Sequence, residues 1–443
     1  MVSRIVTRVS AGLLAGAVLA GGAVVWTSAA GYWPSDPTTL DPTAYVQPEP
    51  TPVAPDTGLS TPDTQATPDS ARVAAGLGAL DRTGVGTVSY VVTDLKGNVI
   101  ASESPDTAAA PASSWKVLTA LGALAALGED HRFETRVVSS PEGVVLVGGG
   151  DPFLTNKTPF LTGQASAAAL ADQVATALTQ AGRTTVVLGY DDSLFAGPQW
   201  NPAWGENYAY DVSPISALAI DPAGNMGADT SRDAAGVFKN LLVARGIAVS
   251  AVRAERAAAG AAPLGAVQSL TLGDTIRRIL EVSDNFGAEV LLRHTSVAAG
   301  TGGSVAAAQA AQTAFLQANG LWAAGMNVTD GSGLSRQDTV PPAVMAAAVR
   351  TAYDQPALRA VLAGLPVAGV DGTLTTRFND PEEAAGRGVA RAKTGTLSDV
   401  RSLTGFVQTN TGAIVMFCFM VNNVHDQAAA VNWLDRAVAV LAA

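Results

Sequence analysis

A serine followed three residues later by a lysine, at the head of a long apolar run, is an arrangement able to make a nucleophile. Residues 111–120 read PASSWKVLTA and continue through LGALAALG to Gly128. The Ala- and Leu-rich run predicts a helix ended by Gly128, with Pro111 and Ser113 suited to its first turn. Positions i and i+3 share a helix face, so the Lys116 amine comes within reach of the Ser113 hydroxyl. An uncharged amine there takes the hydroxyl proton. Lysine ordinarily titrates at about 10.4, so a base working at about 7 to 8 needs a depression of ~3 units, roughly 4 kcal/mol. Burial in an apolar cleft plus a second nearby cation supplies a shift of that size.

Five of the 27 basic residues are lysines: Lys96, Lys116, Lys157, Lys239 and Lys393. Arginine cannot be deprotonated, so Lys116 marks a place where the chemistry demands the rarer residue. Lys393, in AKTGTLSDV on an expected strand, is the candidate second cation. Between the two lies SDN, Ser283 to Asn285, at the junction of two helical stretches. There a hydroxyl can relay protons and a carboxamide can hold a substrate amide, while Asp284 suits the cap of a helix starting at Asn285. Three such motifs in this order are expected by accident roughly two times in a thousand.

The elements that must position these groups are legible in outline. GTVSYVVTDLKGNVIASES (86–104) is two β-rich runs around LKGN, a hairpin signal. Strand-like pieces (FETRVV, GVVLVGGGDP, RTTVVLGY) then mix with a helix around AAALADQVATALTQAG, up to about residue 263. Residues 272–353 are mainly helical. Three strand candidates (VARAKTGT, RSLTGFVQT, GAIVMFCFMVNN) and a helix, DQAAAVNWLDRAVAVLA, close the chain. An antiparallel sheet with packed helices, an α+β fold, follows.

With 48% hydrophobic and 15% charged residues, the 443-residue chain can fill more than one core. Its net charge of −11 excludes a phosphate-backbone partner, which requires clustered cations. Nucleic acid is set aside. Cys418 lies in AIVMFCFMV and reads as a small buried strand residue. His131, His294 and His425 show no metal-ligand spacing, and no metal or organic cofactor is implied.

Arg4 and Arg8 precede an uncharged 22-residue stretch, Val9 to Ala30. It is about the length that spans a bilayer, and the arginines before it predict a cytoplasmic N-terminus. Residues 1–31 read as a signal peptide or a signal anchor, so the body lies outside the cytoplasmic membrane, anchored to it or secreted to the wall or periplasmic space. Residues 32–70 hold nine prolines and hardly an apolar pair. They read as a disordered spacer of roughly 100 Å.

The Ser113/Lys116, Ser283/Asn285 and Lys393–Gly395 set resembles that of the penicillin-recognising serine acyltransferases. GGGDP (148–152), DGSGLSR (330–336), LPVAGVDGTL (365–374) and KTGTLSDVRSLTGF (393–406) resemble the D-alanyl-D-alanine carboxypeptidase/endopeptidase branch, the low-molecular-mass class C penicillin-binding proteins. The resemblance implies a serine β-lactamase/DD-peptidase-like domain (71–134 and 264–443), with a helical subdomain and an inserted mixed α/β domain. Ser113 and Ser283 are 170 residues apart, far more than a compact β-lactamase places there. The insert is assigned to 135–263.

The resemblance further implies that Ser113 attacks the carbonyl between two D-alanines of a peptidoglycan stem peptide, with Lys116 as general base. Ser283 passes the proton to the leaving amine, and Asn285 holds the substrate amide. Lys393 keeps Lys116 neutral and attracts the terminal carboxylate. Thr394, Gly395 and Thr396 complete the substrate site, the threonine hydroxyls on the carboxylate and the backbone N–H groups of Ser113 and Thr396 as oxyanion hole. Asp151, Asp330 and Ser332 read as turn formers near the cleft. β-Lactam antibiotics are expected to acylate Ser113.

Two alternatives share the motifs. A β-lactamase would hydrolyse its penicillin adduct quickly, and no ExxxN deacylation motif stands between the first two elements. An inactive wall-binding scaffold would have no need of both lysines.

Overall fold

The computed structural model describes residue 66 and residues 68–222 and 228–443. The expected targeting segment (1–31) and the expected spacer, apart from its last few residues, lie outside them. No helix of the described residues is long and apolar enough to cross a membrane.

Helix α1 (Ser70–Gly78) starts at its cap Asp69 and leads into the hairpin of β1 (Thr87–Asp94) and β2 (Val99–Glu103). Helix α2 (Lys116–Leu127) ends at Gly128, as the composition predicts. Next come β3 (Glu134–Ser139), β4 (Gly143–Val147), α3 (Ala167–Gln180), β5 (Thr185–Asp191), α4 (Thr230–Val243), β6 (Ala248–Ala254) and β7 (Pro263–Gln268). A helical stretch follows: α5 (Leu272–Val282), α6 (Asn285–Ala298), α7 (Val305–Ala318), α8 (Pro342–Asp354) and α9 (Ala360–Gly364). The chain closes with β8 (Ala390–Leu397), β9 (Val400–Gln408), β10 (Ile414–Asn422) and α10 (Gln427–Ala442).

Two five-stranded sheets result. The first is antiparallel throughout, in the order β2-β1-β10-β9-β8. Its central strand β10, IVMFCFMVN, is apolar nearly end to end because both of its faces are covered. Val415, Phe417, Phe419 and Val421 point to a core shared with α1 and α10, while Cys418 and Met420 point to the core under α2 and α8. Alternation of side chains along a strand divides one apolar run between two cores. Burial pushes the Cys418 thiol up to about 12, which keeps it an inert hydrophobe.

The second sheet runs β6-β5-β4-β3-β7, with β4, β5 and β6 parallel and β3 antiparallel to both its neighbours. Helices α3 and α4 supply the crossovers and bury its apolar residues. This sheet begins at Glu134 and ends at Gln268, so its last strand runs past residue 263, where the sequence placed the end of the insert. A long connection between β5 and α4 leaves the sheet and packs Trp204, Tyr208, Val212 and Ile215 against Phe286, Val290 and Leu334.

Phe419 packs against the rings of Tyr90, tilted at 42°, and Trp433, edge-on at 86°, with centroids 5.6 and 5.7 Å away. Phe419→Ala is expected to lower stability by about 3–5 kcal/mol. The check is a fall in denaturant midpoint at unchanged slope in equilibrium unfolding.

Candidate active site

Ser113, the expected nucleophile, sits on a 3-10 turn, Ala112–Trp115, that runs directly into α2. Ala112 adopts φ +50, the left-handed region that side chains avoid, and so marks a backbone held by its surroundings. Three contacts hold it. Ser402 Oγ on β9 donates to Pro111 O at 2.6 Å, and Ser114 Oγ lies 2.8 Å from Ser402 Oγ and 3.2 Å from Lys393 O. The edge strand β8 approaches this turn very closely. A Cβ on Gly395 would meet Ser402 Oγ at 2.0 Å and Pro111 O at 2.4 Å, so only glycine allows the approach.

Lys116 begins α2 and is almost wholly enclosed, 1% exposed. Its Nζ lies 2.9 Å from Ser113 Oγ, 2.6 Å from Asn285 Oδ1 and 2.7 Å from Ser332 O. The Asn285 amide orientation is set from its other end, where Nδ2 donates to Asp211 O at 2.9 Å. A neutral amine has two N–H groups and one lone pair. Asn285 Oδ1 and Ser332 O are obligate acceptors and take both N–H groups, which leaves the lone pair facing the Ser113 hydroxyl. Burial lowers Lys116 to about 8, although the carboxylates of Asp330, Glu289 and Asp284 pull in the opposite direction.

Lys393, on β8, is fully buried, and its Nζ donates to Thr394 O at 2.9 Å. Burial first, and the neighbouring Lys116 second, hold it well below the usual amine range. The sequence cast Lys393 as the cation that keeps Lys116 neutral. Desolvation is instead the leading cause for both lysines: the charges that act on Lys116 are carboxylates, which oppose its shift, and it is Lys393 that the neighbouring Lys116 lowers further.

Ser113, Ser283, Asn285, Thr394 and Thr396 line one cleft of about 630 Å³. Ser283 terminates α5 in the left-handed region, φ +61, and Asp284 caps α6 by accepting from Gly287 N at 2.6 Å. The two helices therefore meet at a sharp corner that turns Ser283 and Asn285 toward the nucleophile. Thr394 Oγ1 lies 2.8 Å from Thr373 Oγ1 of the GVDGTL stretch. Thr373 itself carries no signal that distinguishes it from other loop threonines.

The DGSGLSR loop does more than turn. Asp330 accepts from the backbone N–H groups of Ser332, Gly333 and Ser335 and from Trp204 Nε1 at 2.9 Å, so it ties the insert to the loop. Asp151 makes the local turn expected of it by accepting from Phe153 N at 2.9 Å, but it is buried and does not line the cleft. Glu289 stands in no motif of the sequence. It lies four residues after Asn285 on the same face of α6, and its Oε1 accepts from Gly331 N at 2.9 Å and Ser332 N at 2.8 Å. Glu289 thereby holds the N–H side of Ser332, the residue whose carbonyl accepts from Lys116, while Asp330 holds the Gly333 N–H of that carbonyl's own peptide. Burial first, and the neighbouring Asp330 second, raise the Glu289 carboxyl above the usual range.

The family model for D-Ala-D-Ala carboxypeptidase 3 matches residues 71–228 and 221–443. The chain belongs to the D-Ala-D-Ala carboxypeptidase 3 (S13) family. It is a serine peptidase of the low-molecular-mass class C penicillin-binding type, as its motifs predict. It is 35% identical to a carboxypeptidase of Mycobacterium tuberculosis over 81% of this chain and 82% of that one. It is 31% identical to carboxypeptidase DacB of Mycolicibacterium smegmatis over 86% and 87%. In fold it is similar to penicillin binding protein 4 (dacB) of Haemophilus influenzae, with a TM-score of 0.69, 20% identity, and 84% and 98% of the two chains covered.

Two outcomes follow. Gly395→Ala is expected to push β8 off the nucleophile turn and slow acylation by about 100-fold, a loss of the size seen when an oxyanion donor is removed. Stopped-flow acylation with a chromogenic β-lactam reads it. Because the amine must be neutral to act, the acylation rate is expected to rise about tenfold per pH unit below the Lys116 value and to level above it. The apparent pKa in the rate profile should fall close to about 8.

Proposed function

We propose that this protein is an extracytoplasmic serine D-Ala-D-Ala carboxypeptidase, able also to act as a DD-endopeptidase, that trims peptidoglycan stem peptides through an acyl-enzyme on Ser113. The observation that carries the reading is the Lys116 amine, enclosed and held by two acceptors with its third direction on Ser113 Oγ.

In the reaction, Lys116 takes the Ser113 proton while Oγ bonds to the carbonyl carbon between the two D-alanines. The backbone N–H groups of Ser113 and Thr396 hold the developing oxyanion, each worth about 3 to 4 kcal/mol. Collapse breaks the C–N bond, and Ser283 hands the proton to the departing amine. Asn285 fixes the substrate amide, and Thr394 and Thr396 meet the terminal carboxylate beside Gly395. Water then adds to the ester and frees Ser113. A β-lactam follows the same acylation, but its leaving amine stays tethered and keeps water out.

The N-terminal arginines followed by 22 uncharged residues support a body beyond the cytoplasmic membrane, carried on the Pro-rich segment away from its surface. Peptidoglycan lies there, as do the β-lactams that reach it.

Wild type should release D-alanine from a pentapeptide ending in D-Ala-D-Ala and gain the mass of one penicillin on Ser113. Ser113→Ala should lose at least about 10³-fold in release and form no adduct. Equal, negligible release by both proteins, or rapid turnover of penicillin, would overturn the reading. Intact-mass spectrometry and a D-alanine assay supply both numbers.

A further inference from the structure

The cleft has a cationic end that no step above uses. Past Thr394 and Thr396 it is lined by Thr373, Arg377, Arg401 and Gln427. Arg401 sits on β9 directly opposite Thr396 of β8. Directly opposed residues of an antiparallel pair project to one face, so Thr394, Thr396 and Arg401 share it.

The two arginines differ. Arg377 is already neutralised: Nε donates to Asp435 Oδ2 at 3.0 Å, and Nη2 pairs with Asp435 Oδ1, whose residue is almost completely buried. Arg401 is 7% exposed and forms no ion pair among the described residues. Its Nη1 donates to the carbonyls of Leu397 and Val400, which fixes the side chain against the β8–β9 turn. Those bonds engage one of its three nitrogens, and among the described residues no hydrogen bond involves Nε or Nη2. Burial and the charge of Arg377 both disfavour its cationic form. An enclosed cation with no counter-charge is unfavourable unless an anion arrives to meet it.

Lys393 does not supply that charge to the cleft. It is fully buried behind the strand, its Nζ bonded to Thr394 O, and it is absent from the cleft lining.

We infer that Arg401 is a substrate-binding residue that receives the free α-carboxylate of the leaving D-amino acid, alongside the hydroxyls of Thr394 and Thr396. This rests on the acyl-enzyme reading above and assigns to arginine the anion recognition that the sequence had given to Lys393. It makes a free carboxylate next to the scissile bond a condition of efficient acylation, for peptides and for penicillins alike. A planar guanidinium suits the task because it offers parallel N–H donors to both carboxylate oxygens.

The test compares benzylpenicillin with its methyl ester, which lacks only the anionic charge, by the second-order rate of Ser113 adduct formation in intact-mass time courses. Wild type should strongly prefer the acid. In Arg401→Leu and Arg401→Gln that acid-over-ester preference should fall by roughly 10- to 100-fold, the range for a hydrogen bond to a charged group. Arg401→Lys should keep part of it. The preference is a ratio within one preparation, so a partly unfolded variant slows both reagents alike and leaves it intact. A preference equal to wild type in all three variants that form adduct overturns the assignment. Adduct in wild type with no preference for the acid overturns it too, with the acyl-enzyme reading left standing. No adduct in wild type with either reagent overturns both.

Discussion

One buried amine organises this molecule. Lys116 is enclosed on every side, and enclosure alone takes its pKa down to about 8 against the pull of nearby carboxylates. Its two acceptors do as much as its burial. Asn285 Oδ1 and Ser332 O are unable to donate, so they sort the neutral amine's N–H groups away from Ser113 and leave it the lone pair. Each acceptor is in turn held from further out, Asn285 by Asp211 O and the Ser332 peptide by Glu289 and Asp330. The orientation of the Lys116 amine therefore belongs to several chain segments rather than to one side chain.

The same economy of space governs the strand side of the cleft. The nucleophile turn carries a left-handed Ala112 because Ser402 and Ser114 bolt it to β9 and the Lys393 carbonyl. Gly395 lets β8 pass within van der Waals reach of that turn, and Gly333 does the same from the DGSG loop, where a Cβ would meet Ala112 O at 2.0 Å. Packing density of this kind transmits strain, so catalytic geometry and sheet register are one constraint.

The inserted sheet is tied to the chemistry by its long connection. Trp204 donates to Asp330, Asn201 Nδ2 donates to Thr329 O at 3.1 Å, and Asp211 offers the carbonyl that orients Asn285. Tyr208 OH accepts from Arg336 at 3.1 Å, and Arg336 also pairs with Asp399 at 2.7 Å, so the insert, the DGSGLSR loop and the β8–β9 turn meet at one end of the cleft. The insert thus builds one wall of the site as well as a core of its own.

The sequence by itself determined that Ser113 and Lys116 meet, because a 3-10 turn running into a helix, like a helix itself, brings positions three apart to one side without help from the rest of the chain. It likewise determined the hairpin, the three closing strands and the Asp284 cap, all set by local pattern and propensity. Tertiary structure decided what depends on contacts between distant segments. Glu289 is an ordinary helix glutamate until folding brings Gly331 and Ser332 to it, and Arg401 is an ordinary strand arginine until β8 and Arg377 leave it without a counter-charge. The state of the two lysines was settled in the same way. Solvent exclusion sets it, and solvent exclusion is a property of the packed volume around a residue, which no spacing in the chain encodes.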